Sequence, residues 1–409
     1  MQRAENPSQA RGGGGLFPQA RKASRNSMIA AAVISVFLLL LPVPQMLSEA
    51  GIVRLPIRFD QAFINAAADT ACFTLLALGL NIVVGYAGLL DLGYAAFFAI
   101  GTYTYAILAS SFFDLHVPFW IMLFVSGLVT ALFGVAFGAP TLRLRGDYLA
   151  IVTLGFGEIV PIFILNLDQL TAGTNGISGV DKPAIGPVII GANNDNISFY
   201  YLGLALIVLI VFFINRLRDS RLGRAWMAIR EDELAAATMG INTTTTKLWA
   251  FGLGAALSGF AGTFYGAHLG FASPQQFNFS QSVLILCMVI LGGMGNLWGV
   301  MLGAAVIYLL QTVVLIQLPT WLGNLGKSTN LDFLISFNEN VRLTDYTFFI
   351  YGIILVLFML FRPEGLIASR RRKLELHPES EKISDQERQD LYDVRETNQT
   401  DTDVRGSQP

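Results

Sequence analysis

The sequence predicts an all-α, polytopic membrane protein with about ten transmembrane helices, some interrupted, and a helical coupling segment in the cytoplasm. Three observations predict it. Of 409 residues 53% are hydrophobic and only 14% charged, where soluble domains average about 25% charged. The charges are segregated: the first 27 residues hold 6 and residues 362–409 hold 20, which leaves 30 for the 334 residues between. Within that middle stretch apolar runs of 15 to 24 residues recur, close to the ~20 that a helix rising 1.5 Å per residue needs to cross a ~30 Å hydrocarbon core.

In chain order the spans fall at 28–47, 61–84, 92–111, 118–140, 148–166, 199–215, 247–268, 280–294, 298–317 and 346–361. They divide the chain into a polar basic tail (1–27), a transmembrane domain (28–361) with its largest inner loop at 216–247, and a mostly disordered cytoplasmic tail (362–409), poor in aromatics and rich in Glu, Asp, Ser, Gln and Arg. Ten spans put both termini on one side, and the retention of Lys and Arg in the cytoplasm chooses it. With the N-terminus inside, the inner segments carry 22 basic residues and the outer ones 5, namely Arg54, Arg58, Lys182, Lys327 and Arg342. The first span has two readings: its 14-residue run from Met28 to Leu41 fits either a transmembrane helix or a signal peptide with Ser48 and Ala50 as small cleavage residues. Both put residue 51 outside. The 32-residue outer loop 167–198 contains tight-turn residues from Thr174 to Gly179 and an apolar run from Pro187 to Ile190, which reads as a small cap.

Composition also excludes functions. A net charge of -2 gives no basic footprint for nucleic acid. Cys72 and Cys287 lie in apolar runs, and His116, His268 and His377 have no ligand spacing, so no metal or other cofactor is expected on this chain. Gly326-Lys327-Ser328 imitates the end of a phosphate-binding loop, but its first glycine position is Trp321. Any energy for work across the membrane must then come from an ion gradient or from a partner.

Glycine spacing locates helix contacts and breaks. Gly254, Ser258, Gly262, Gly266 and Gly270 recur every four residues, as do Gly295, Gly299 and Gly303, and both stripes read as close helix contacts. Residues 81–93 and 291–296 are apolar, break at glycines and resume, as at Gly88 and Gly293. Such breaks in a membrane survive where protein or a watery cavity satisfies the freed backbone, so they either flank a permeation path or form tight turns at its inner mouth. Asp69, Asp91 and Glu158 sit in or beside apolar spans, where a carboxylate costs about 2.5–3.5 kcal/mol. With no Lys or Arg in residues 61–140, an ion pair with a neighbouring span looks hard to form. Asp91 suits an N-terminal cap as well as a substrate contact; Glu158 is mid-span and is the first candidate for a polar lining, with Asn81, Thr102, Thr104 and Thr153 as further hydrogen-bonding residues.

The inner loop carries a short amphipathic helix from Arg221 to a stop at Gly240 and Asn242, with Trp226, Ile229 and Leu234 at helical spacing. It resembles the coupling segment by which ABC importer permeases engage their ATPases, with Gly223, Arg224, Arg230, Glu231, Glu233, Leu234 and Gly240 as its contacts. Together with residues 81–103, 146–158, 290–296 and 362–367, it makes the chain similar to the M-type permease of branched-chain amino-acid ABC importers. The resemblance implies a bacterial inner-membrane protein that is not itself an enzyme. It implies partners: an H-type permease, two cytosolic ATPases that use ATP and magnesium, and a periplasmic binding protein. It also departs from the pattern, with Leu234 where many importers have Glu, Glu233 displaced by one, and no Leu-Pro after Gly240. A urea or short-amide importer of the same family and an ion-coupled secondary transporter are the alternatives.

Overall fold

The computed structural model describes residues 61–315 apart from 143, 145, 187 and 193–195, and a few positions between 349 and 367. The first predicted span, the Gly326–Ser328 segment and the tail beyond residue 367 lie outside the described residues, as does most of the last span, whose described positions such as Phe349 and Val356 are helical and exposed. The chain divides into a leading unit, Met1–Asn65, and a main unit, Ala66–Pro409, to which the helical bundle belongs.

Eight apolar helices account for the predicted spans among the described residues: α1 (Gln61–Leu80), α2 (Tyr94–Leu108), α3 (Phe119–Thr141), α4 (Asp147–Asn166), α6 (Asn196–Arg218), α9 (Thr243–Leu269), α10 (Phe279–Gly292) and α11 (Leu297–Leu309). Between them lie three short helices, α5 (Asp168–Thr171), α7 (Arg221–Glu231) and α8 (Glu233–Thr238). Five of the eight are long and apolar enough to cross a membrane; α2, α10 and α11, at 13 to 15 residues, reach only about 20 Å. α1 runs on into a π-turn at Asn81–Tyr86 and α11 into another at Leu310–Leu315, and α10 stops at the glycine break after Gly292.

Side chains that supply missing backbone partners set the helix starts. Ser220 accepts from Gly223 N, Asn242 from Thr245 N, Asn278 from Gln281 N and Asn296 from Trp298 N, each capping orphan amides of a first turn. The predicted amphipathic helix is in fact two, because Asp232 adopts an extended conformation and caps the second, accepting from Leu234 N and Ala235 N. That corrects the expected stripe. Trp226 and Ile229 face the body of the protein, whereas Leu234 is exposed.

α9 is the central post. A Cβ at Gly262 would lie 2.6 Å from Thr102 N of α2, one at Gly259 2.7 Å from Ser126 O of α3, and one at Gly254 3.2 Å from Gly79 O of α1. Small residues therefore let three helices meet α9 backbone to backbone, where dispersion and packing drive association in lipid. Bonds across these contacts add direction: Ser126 Oγ donates to Gly259 O (2.8 Å) and the Tyr94 hydroxyl to Gly254 O (2.8 Å). Two members of the predicted stripes are not on a helix face. Gly270 is the left-handed residue that ends α9 (φ +64°) and meets nothing close, whereas Gly295 is a turn residue (φ +83°) whose close contact is with the first break at Gly85.

The loop 167–198 folds as expected of a cap, from α5, a 3-10 turn at Gly173–Asn175 and the strand pair β4 (Ala184–Ile185) with β5 (Val188–Ile189). It is tied to the neighbouring connections. β3 (Ile177–Ser178) pairs with β6 (Phe271–Ala272), while β1 (Ala109–Ser110) pairs with β2 (Leu115–His116) and Asp181 N donates to Ala109 O. The protein thus has a strand-bearing end and an opposite end that holds α7, α8 and the helix breaks.

Candidate functional site

At the α7 end the two breaks are bonded to each other. Asn81, at the start of the π-turn, accepts from Gly295 N at 2.8 Å across 214 residues of sequence, and a Cβ at Gly85 would come within 2.7 Å of that same nitrogen. A second clamp comes from residues 365–367: Leu366 N donates to Leu291 O (2.8 Å), Ile367 N to Gly292 O (3.3 Å), and Asn296 Nδ2 to Ile367 O (3.0 Å). Gly365 lies so close that its Cβ would sit 2.6 Å from the Cα of Gly293, itself at φ +110°. Sequence reasoning singles out residues 362–367 as a motif but has no role for them; only the pairing shows one.

The coupling segment is anchored to this junction. The Trp226 indole donates to Thr246 O at 2.7 Å, and Gly223 sits against the last carbonyls of α6, where a Cβ would meet Leu217 O and Arg218 O at 2.4 Å. Lys247, which no sequence motif marks, is buried and pairs with Glu233 at 2.6 Å. Arg230 turns inward. Its guanidinium donates to Gly85 O, and its stem lies over Gly88 (φ +72°). Gly88, Arg230, Glu233, Lys247 and Asp147 line a cleft of about 230 Å³. Arg224, Glu231, Leu234 and Gly240 are exposed; Arg224 donates to Asp219 O (2.6 Å).

The other predicted path residues lie elsewhere. Asp91 is buried between the first break and α4: its Oδ1 accepts from Gly93 N (2.9 Å), and beside it Leu92 N donates to the Thr153 hydroxyl (3.1 Å). The space they line is about 10 Å³, room for no more than one water. Thr102 belongs to the α2–α9 contact, and its hydroxyl bonds its own helix at Phe98 O. Glu158 is exposed on α4, on the face that also shows Ile151, Gly155 and Ile162, opposite the buried Leu149, Thr153, Gly157 and Val160.

Asp69 corrects an expectation. It has a titratable partner after all, His268 of α9 at 3.4 Å, whose ring is packed between Phe199 and Phe264. Counting only Lys and Arg in residues 61–140 misses it, because the partner is a histidine nearly two hundred residues away. At the strand-bearing end His116 Nδ1 and Asp181 Oδ2 lie 2.7 Å apart, and that hydrogen bond and charge raise the histidine above its ordinary pKa. Among the described residues no three His, Cys, Asp or Glu side chains group as metal ligands.

Interrupted apolar helices, tied at one end of a helical bundle to a partly exposed amphipathic segment, define a polytopic α-helical permease. The family described as "Branched-chain amino acid transport system / permease component" matches residues 62–359, and the chain belongs to it. Its relatives include the high-affinity branched-chain amino acid transport system permease protein LivM of Salmonella typhimurium, 40% identical over 341 residues (78% of this chain, 73% of the relative). LivM of Escherichia coli is 39% identical over the same extent. LivH of Escherichia coli is 24% identical over 275 residues (64% of this chain, 88% of the relative). No solved structure matches.

Proposed function

We propose that this chain is the transmembrane permease subunit of an ATP-driven ABC importer for branched-chain amino acids. The observation that carries the reading is the family match over residues 62–359, which takes in both helix breaks and α7. The chain pairs with a second, homologous permease, a reading supported by its similarity to proteins named LivM and LivH alike. Two ATPases dock on the exposed side of α7 and α8, which includes Arg224, Glu231, Leu234 and Gly240, and a periplasmic binding protein delivers substrate to the strand-bearing end. The α7 end and both termini are cytoplasmic, in agreement with the excess of basic residues there. ATP and magnesium are used by the partners, and this chain binds no cofactor.

Glu158 supports a path between the two permeases. An exposed carboxylate among Ile151 and Ile162 is costly against hydrocarbon, and a water-lined route shared with a second subunit removes that cost. Gly88, Gly293 and Asn81 stand at the inner mouth. Uptake of labelled leucine, isoleucine, valine, alanine and urea by cells with and without this gene tests the reading. Leucine, isoleucine and valine entry should fall to background without it; loss of urea uptake alone would move the assignment to the short-amide importers.

A further inference from the structure

We propose that Arg230 is a positioning residue for transport: it locks the coupling segment to both helix breaks, so that α7 and the inner mouth move as one body. The proposal rests on the permease reading and goes beyond it, because it takes Arg230 out of the ATPase-docking surface. Three contacts carry it. The guanidinium donates to Gly85 O, at the last turn of the π-helix, where carbonyls lack an intrahelical donor. Gly88 has its backbone against the stem: a Cβ there would lie 2.8 Å from Arg230 Cγ, and the positive φ of Gly88 already demands glycine. On the far side the second break closes the cradle, since a Cβ on Gly295 would lie 3.2 Å from Arg230 Nη1. Asn81 then fastens that second break to the first through Gly295 N. One side chain of α7 is therefore bonded to the backbone of the first interrupted helix and lies beside the second, and those helices are bonded to one another.

The arrangement suits Arg in particular. Its planar, always-charged fork holds several donors in fixed directions, while its stem packs on apolar surface, so it reports a small displacement of α7 as the loss of a directional bond. A docking contact to an ATPase would instead point outward, as Arg224 does on the same helix. The π-turn that receives the bond is itself an irregularity of the kind that accumulates at functional sites.

The test uses the whole complex, both permeases, both ATPases and the binding protein, in lipid vesicles. Arg230→Ala, Arg230→Gln and Arg230→Lys are compared with the parent for three quantities: assembly, ATP hydrolysis stimulated by loaded binding protein, and solute moved per ATP. For Arg230→Ala and Arg230→Gln the complex should assemble and hydrolysis should stay responsive to the loaded binding protein, while solute moved per ATP falls at least tenfold; Arg230→Lys should retain an intermediate ratio. A Leu90→Cys reporter, exposed beside the cleft, supplies a readout that mere destabilisation would not move. Its labelling rate should differ between the nucleotide-free and ATP-bound states, and the difference should vanish in Arg230→Gln. An unchanged ratio with unchanged labelling overturns the proposal, and so does loss of assembly and hydrolysis together in all three variants, which would make Arg230 a docking residue. If the parent complex shows no ATP-dependent uptake, the permease reading fails instead.

Discussion

Glu158 stands on the uncovered face of α4, while Thr153 and Gly157 of the same helix are turned to the interior. If the carboxylate lines a watery route, Glu158→Gln keeps the shape and loses the charge. Uptake should then drop about tenfold, equivalent to about 1.4 kcal/mol in the barrier, with the protein still inserted. A normal rate in that variant would remove Glu158 from the path. His116 and Asp181 behave differently because they lie in water at the strand-bearing end. The histidine is raised above its ordinary value of 6.5 by the Asp181 bond, so its contribution is complete below that ordinary value and is lost as pH rises through the raised one. The Asp181 amide, which donates to Ala109 O, should therefore be better protected from hydrogen exchange, relative to its intrinsic rate, below the ordinary histidine value than at a pH above the raised one. His116→Asn should erase the difference.

For the helices, the decisive quantity is how closely backbones approach. A side chain at Gly262 would press on Thr102 N, Gly101 C and Phe98 O, all backbone atoms that cannot swing away. Gly262→Val should separate α9 from α2 and cost about 1–3 kcal/mol or more, read as a lower unfolding midpoint in detergent. Gly155 is the contrasting case: a Cβ there meets nothing within 4 Å, so Gly155→Ala should leave the packing intact and raise helix stability by about 0.5–1 kcal/mol. If both substitutions lowered the midpoint alike, close backbone approach would not be what holds α9. The break between α7 and α8 belongs to this scale too. Asp232 leaves the helix and caps the next, and that single turn sends Trp226 inward and leaves Leu234 facing out.

In the molecule as a whole α1 is nearly enclosed, whereas α3, α4 and α6 expose much of their apolar surface. Such faces suit lipid and a second subunit. The segment proposed to meet a motor is tied to the helix breaks, through Arg230 to Gly85 O. Purified chain reconstituted alone should consequently move no leucine under a proton or sodium gradient, and uptake should appear only when the second permease, ATPases and binding protein are added with ATP. Gradient-driven transport by the lone chain would sink the importer reading.

The sequence alone determined that this protein is a helical bundle in a membrane, roughly where the described spans begin and end, and where the helices break. Hydropathy and glycine act locally: a helix in hydrocarbon must satisfy its own backbone, and a positive φ at Gly88 or Gly293 admits little else. Only the tertiary structure decided which side chains meet. That Asp69 faces His268, that Asn81 holds Gly295, that residues 365–367 brace the second break and that Arg230 points inward rather than toward a motor are contacts between segments tens to hundreds of residues apart. No periodicity records such partners, because the direction of a side chain is fixed by how whole helices pack and turn against one another.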